Sequence, residues 1–440
     1  MISAIKNNRS LTFYQTPCWN FEDNLSLSDF AEKAVITTQN SAIATSTSMQ
    51  TSTINRAYLQ IKSSVIDRGL RYANNSAESR GGYMAENWQA ETYNFDATIK
   101  KVPTRAAVPA ETKLASADIV VDNQQEYSLK YLKDAKASAN AQTNPGYKNQ
   151  KLLVPTDQLE EAKQVLQNRS DLNTKKGRYD AADIQRDAID RLTDRVTGPG
   201  GIKSTPLSKE QDIKLAKAIK SNESTNEEAI DDVLRETGLT KKKNISIKKN
   251  EIQGISTAIA IAAGIGLTIG FVTTLARAGV SPESIKAAAI NGAKSGTEAS
   301  AMAAVGYGIG RTIGEKATQT ILSNIGVSAT TNISKMVNMG VVGVLTISVF
   351  SIYQFTKLKI QGIATKEALL HVGKQAVVSL SILALSIAVQ GVYGGAAGMI
   401  VSTGIGLILI TYSVVDSVHQ RRFAERIREY TIEKYTPYFA

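Results

Sequence analysis

The chain has 440 residues, a formal net charge of +11, one cysteine and two histidines. Cys18 alone can form no internal disulfide, and His371 and His419 lie far from any cysteine cluster, so a disulfide-stapled domain and a structural zinc site are excluded. The charge is also localised: residues 1–240 hold 31 basic and 31 acidic side chains, residues 241–250 add five lysines, and residues 251–440 hold 15 basic against 9 acidic. A nucleic-acid footprint would place the excess in a soluble domain, whereas here it borders apolar segments, as in a membrane protein.

The opening residues MISAIKNNRSLTFYQ lack the apolar core of a secretory signal. Residues 1–52 are rich in Ser, Thr and Asn, notably in TTQNSAIATSTSMQTST, and are expected to form a flexible arm, because they bury too little apolar surface to offset the entropy of ordering. Residues 54–75 read as a helix, with Leu59, Val65, Ile66 and Leu70 at helical spacing, and Gly81-Gly82 as its break. A second helix follows in GYMAENWQAETYNF, and Pro103 and Pro109 bracket a loop. ADIVVD and EYSLKYL, either side of Asn123-Gln124-Gln125, predict a β-hairpin. DAKASANAQ then reads as a helix and NPGYKNQ as a turn. In LLVPTDQLEEAKQVLQ, Leu152–Val154 is a strand, Thr156 a helix N-cap, and Leu159, Ala162, Val165 and Leu166 the apolar stripe. This order makes residues 54–170 a small mixed α/β head.

Residues 171–250 read as a polar, strand-free helical connector ending in Lys241, Lys242, Lys243, Lys248 and Lys249. Ser208 with Gln211 and Thr225 with Glu228 predict two capping boxes, and Gly238 a C-cap. Residues 251–418 read as a Gly-rich, all-α membrane bundle with candidate spans 252–276, 336–355, 376–393 and 397–415, and residues 419–440 as a basic tail. Each span approaches the ~20 residues that cross the hydrocarbon core as a helix. The last two flank QGVYGGAAG, and no charged residue occurs between Lys374 and Asp416.

Placing the 241–249 lysines in the cytoplasm sends the 277–335 connection outside and brings Lys357, Lys359, Arg421 and Arg422 back inside, with the N-terminal head cytoplasmic. Gly306, Gly310 and Gly314, and Gly391 and Gly395, recur every four residues. Small residues at that spacing let helix backbones approach closely in a membrane, which points to a compact bundle or a homo-oligomer.

A helix bearing Glu86, a strand opened by Asp118, a short turn and a strand carrying Ser128-Leu129-Lys130 form a recognisable order. Over about residues 80–170 it resembles the PD-(D/E)XK nuclease superfamily. The resemblance implies Glu86, Asp118 and Lys130 as catalytic residues, Asp118 as a metal ligand, Mg²⁺ as cofactor and nucleic acid as substrate, with the lysine stabilising charge at the attacked phosphate. The sequence departs from the pattern at Ser128, where the family usually has Asp or Glu. Glu126, on the same strand face, and Asp122 in the turn are the available substitutes. Trp88 and Tyr93 read as core aromatics, and Lys130, Lys133 and Lys136 also fit a solvated face. The uncharged C-terminal hairpin resembles that of pore-forming colicins. Three functions stay open: a membrane protein with a nuclease-like or interaction head, of defence or toxin type; a pore-former; and a membrane scaffold without chemistry.

Overall fold

A computed structural model describes residues 21–110, 115–221, 224–278, 281–324, 331–393 and a few positions within 423–430. The described chain is mostly helical, carries a five-stranded mixed sheet, and divides into one unit of residues 50–250 and another from residues 1–49 and 251–440.

Helix α1 (Phe21–Arg71) contributes residues to both units. In the 50–250 unit it is followed by α2 (Ala77–Lys100), β1 (Ala106–Ala107), β2 (Ile119–Val121), β3 (Gln125–Leu129), α3 (Ala135–Gln142), β4 (Lys151–Leu153), α4 (Leu159–Lys175), α5 (Tyr179–Arg191) and β5 (Leu192–Thr193). The strands lie in sequence order; β1, β2 and β3 pair antiparallel, and β4 and β5 are added parallel. The expected hairpin is β2–β3, with Ile119 opposite Tyr127. Asp122 and Asn123 close it at φ 50° and 58°, the left-handed pair that matches the twist of the strands.

Side chains alternate across the sheet. Tyr127, Leu129 and Leu153 join one core with Ile61, Val65, Trp88, Tyr93 and Phe95, while Leu152 and Val154 join a second with Ala139, Ala162 and Leu166. The expected 54–170 boundary is too short. Helices α6 (Lys209–Ala218) and α7 (Glu227–Glu236), with the small hairpin β6 (Ile219–Ser221) and β7 (Ser224–Thr225) between them, supply Leu215, Ala216, Val233 and Leu234 to the first core, and β5 completes the sheet. Residues 171–250 are therefore part of the head and not a strand-free connector. Strands of two or three residues are too short to show alternation in a sequence.

Three local expectations are also corrected. Gly81-Gly82 lies inside α2, whose true start is Ser76, accepting from the Ser79 amide. The helix tolerates Gly81 because Asp212 packs there: a Cβ at that position would sit 2.7 Å from both carboxylate oxygens. Thr156 opens a 3₁₀ turn and gives its hydroxyl proton to Asp194 at 2.7 Å instead of capping α4. The second cap falls one residue later than expected, on Asn226, which accepts from the Ala229 amide. The Ser208–Gln211 capping box and the left-handed Gly238 occur as predicted.

The other unit comprises the first part of α1, then α8 (Leu239–Ala278), α9 (Pro282–Ile309), a π-helical turn at Gly310–Gly314, α10 (Glu315–Asn324), α11 (Thr331–Ile360) and α12 (Thr365–Tyr393). Leu239–Leu275, Met336–Ile360 and Thr365–Val389 are long and apolar enough to cross a membrane, with mean hydropathies of 2.1, 1.8 and 1.8. The fourth expected span, 397–415, lies outside the described residues, as do Gly395, Arg421 and Arg422.

Two expectations fail in this unit. Residues 21–52 are not a flexible arm but part of α1, and residues 35–44 are buried throughout. Polar side chains suffice there because their hydroxyls are satisfied inside the bundle. Ser41 donates to the Thr37 carbonyl at 2.9 Å, and Thr45 accepts from Asn338 at 2.9 Å. Nor is the 277–335 connection a loop on the far side of the first span. It folds back along α8 as α9: Gly270 lies against Asn291, Gly266 against Ala299, and Arg311 Nε reaches Glu251 at 3.0 Å. Lys286, Lys294 and Glu298 kept this Ala/Gly-rich helix off the list of candidate spans.

Candidate functional site

The register of β2 on β3 sets the site. Asp118 precedes β2, and its amide donates to the Tyr127 carbonyl at 2.8 Å. This places its carboxylate at the end of β3, where Oδ2 accepts the Leu129 amide at 2.6 Å and Lys130 Nζ at 3.2 Å. Lys130 Nζ also donates to the Leu129 carbonyl at 3.1 Å and lies 5.0 Å from the Tyr147 ring centre. Both side chains keep 23% of their surface exposed, so the pair is open to solvent.

Glu86 comes from α2 and pairs with Arg68 of α1, Nη2 to Oε2 at 2.6 Å, with about a tenth of each side chain exposed (10% and 11%). Burial pushes the Glu86 carboxyl up to about 7; the charge of Asp118 adds to the rise, and Arg68 and Lys130 oppose it. The three residues expected from sequence are thus brought together, and Arg68, which was not expected, joins them. Its only sequence signal is helical spacing.

Neither substitute for the missing acid joins the cluster. Glu126 is exposed on β3, and Asp122 is occupied by the Thr104 hydroxyl at 2.6 Å and the Arg105 amide at 2.8 Å. Ser128 is fully buried, and its hydroxyl finds no partner among the described residues. No group of three or more His, Cys, Asp or Glu able to hold a metal occurs among the described residues. Two carboxylates remain, Asp118 and Glu86. Mg²⁺ is commonly held by one or two carboxylates plus waters and substrate phosphate, so these two match it in kind, each already paired with a cation, Asp118 with Lys130 and Glu86 with Arg68.

Three of the five glycines expected to pack, Gly306, Gly310 and Gly314, lie against other helices of the same chain. A Cβ on Gly306 would lie 3.2 Å from Thr346, one on Gly310 2.9 Å from Ala44, and one on Gly314 would collide with Val342. Gly391 lies in the last turn of α12. Among the bordering cations, Lys242 forms an ion pair with Asp96 at 2.6 Å and Lys243 lies 4.5 Å from the Tyr58 ring centre, whereas Lys241, Lys248 and Lys249 are exposed. Lys357 faces Glu298 at 3.6 Å, and Lys359 donates to the Ile363 carbonyl. Trp88 and Tyr93 are core residues, donating to the Thr205 carbonyl and bonded to the Thr104 hydroxyl respectively.

Among known proteins, no family model, no curated sequence and no solved structure matches this chain.

The raised Glu86 carboxyl has a thermodynamic consequence. A folded-state value above the unfolded one gives stability that is present below pH 4.5 and is lost as pH rises through about 7. The loss is of the order of 3 kcal/mol at about 1.4 kcal/mol per unit. Glu86→Gln keeps an acceptor for Arg68 and removes the charge. Its stability relative to wild type should therefore rise by about that amount between pH 4.5 and 8, read by hydrogen exchange at the β3 amides. A constant difference across that range excludes the effect.

Proposed function

We propose that this chain is a multi-pass integral membrane protein whose 50–250 unit is a cytoplasmic, Mg²⁺-dependent, nuclease-like head, an architecture suited to a defence- or toxin-type effector. The observation that carries the membrane assignment is the polarity of the helical unit. Ile352, Ile360 and Val377 are 67%, 82% and 65% exposed, while Thr37, Ser41, Asn338 and Thr346 are buried. Water-soluble bundles distribute these residue types the other way, apolar stripe inward. In lipid the apolar belt costs nothing, and buried hydroxyls and amides serve as interhelical contacts.

The head reading is supported by the convergence of Glu86, Asp118 and Lys130 at one end of the β2–β3 hairpin. Asp118 and Glu86 would hold Mg²⁺, which when bound polarises a phosphoryl oxygen and stabilises developing negative charge. Lys130 supplies a fixed positive charge beside the same position. Asp118 holds that ammonium in place, and the Leu129 amide and carbonyl fix both partners to β3.

Two experiments test the proposal. The full chain should remain in the membrane pellet after alkaline carbonate washing; release into the supernatant overturns the membrane assignment. Purified in detergent, it should nick DNA with Mg²⁺ and not with EDTA; no nicking overturns the nuclease head. A second reading, pore formation, is favoured by the polar Thr37–Thr45 segment inside an apolar bundle. Dye release from liposomes supports it, and intact liposomes at all pH values and potentials remove it.

A further inference from the structure

One aromatic pair beside the cluster has no part in the core. Tyr72, just past the end of α1, and Tyr83 on α2 stack at 3.9 Å between ring centres, 10° from parallel, and both are only partly buried. The Arg68 guanidinium lies 5.2 Å from one ring centre and 5.5 Å from the other. A cation over the outer face of either ring would be much farther from the second ring, so near-equal distances put Arg68 at the edge of the stack. The guanidinium therefore does not itself cover the outer ring faces. Tyr83 and Glu86 are three residues apart on one helix, which places the stack a little under one turn, ~4.5 Å along the axis, from the carboxylate cluster.

Hydrogen-bonding capacity favours the same class of ligand. Arg68 and Lys130 set two cationic side chains beside the Asp118 and Glu86 carboxylates. Arg68 Nε has no hydrogen-bond partner among the described residues. Cationic donors next to a partly exposed aromatic stack match a chain of alternating phosphates and planar bases.

We propose that Tyr72 and Tyr83 form a base-stacking subsite that holds single-stranded nucleic acid, so that the unpaired base next to the target phosphodiester rests on the tyrosine stack while the phosphodiester meets Lys130 and Asp118. This rests on the nuclease-like reading above for its position and not for its binding. A duplex offers no free base face, so the subsite selects single strands or frayed ends.

The test measures binding apart from cleavage. Full-length protein in detergent is titrated with fluorescent oligothymidylate in EDTA, and with the same oligonucleotide carrying abasic positions. Base–aromatic stacking predicts that abasic substitution and Tyr83→Ala each weaken binding by roughly 5- to 150-fold, with Tyr83→Phe close to wild type. The abasic comparison uses wild-type protein, so misfolding of a variant cannot imitate the result. Base-dependent binding without Mg²⁺-dependent cleavage upholds the subsite and overturns the nuclease head. Cleavage with equal binding of normal and abasic strands overturns the subsite and leaves the head standing. Neither binding nor cleavage overturns both.

Discussion

Asp118→Asn and Lys130→Ala each lower Mg²⁺-dependent cleavage by about 10²–10³-fold or more, the loss that follows removal of one preorganised charge-stabilising group. The asparagine can still accept the Leu129 amide, so the β2–β3 geometry survives, but the negative charge that would hold Mg²⁺ and restrain Lys130 is gone. Lys130→Ala leaves Asp118 in place and removes the cation. Neither change should unfold the head. The ion pair is partly exposed, and such pairs typically contribute at most about 1 kcal/mol. Glu126→Gln and Lys133→Ala are the controls, because Glu126 is exposed outside the cluster and Lys133 is exposed beyond β3. Single-turnover rates on one DNA substrate decide the matter. Asp118→Asn and Lys130→Ala cleaving at the wild-type rate would remove the cluster from the chemistry, and an equal loss in Glu126→Gln would mean that the acid sits elsewhere on β3.

How much of this arrangement could be read from the residues depended on the range of the interactions involved. The hairpin was legible because Asn123-Gln124-Gln125 separates two β-rich runs, and a turn is a local event. The meeting of Glu86, Asp118 and Lys130 was legible only as an order of elements along the chain. Arg68 and the Tyr72–Tyr83 stack were not legible, because they depend on how the end of α1 packs on α2. The same holds for Gly81, whose place inside a helix is explained by Asp212, a residue far along the chain. The largest misreading concerned residues 21–52. Composition predicts disorder for a Ser/Thr-rich stretch in water, and the prediction fails when apolar helices enclose that stretch and its hydroxyls find partners on its own helix and on Asn338. Charge counting failed on the 277–335 connection for a related reason: a helix rich in Ala and Gly can pack closely against α8 while still carrying lysines on its exposed side.

Leu385→Arg separates lipid from water as the solvent of the helical unit. Leu385 lies at the middle of the charge-free span 376–393, well past Lys374, and is 44% exposed. If that face meets water, the substitution is an ordinary surface change worth no more than about 0.5 kcal/mol. If it meets acyl chains, an arginine at a helix centre costs about 2.5–3.5 kcal/mol of insertion free energy, roughly a 70- to 350-fold fall in the ratio of inserted to uninserted chain. The expected result is the second, measured as the fraction integrated into vesicles during translation. Ile360→Arg is the matched control. It is 82% exposed, but it ends α11 one residue after Lys359, where an added cation can reach the headgroups, so integration should not change. Two arginines at exposed positions thus have opposite outcomes that only a depth-dependent solvent can produce. Equal integration of wild type, Leu385→Arg and Ile360→Arg would place the exposed apolar belt in water, and the belt would then have to be covered by protein.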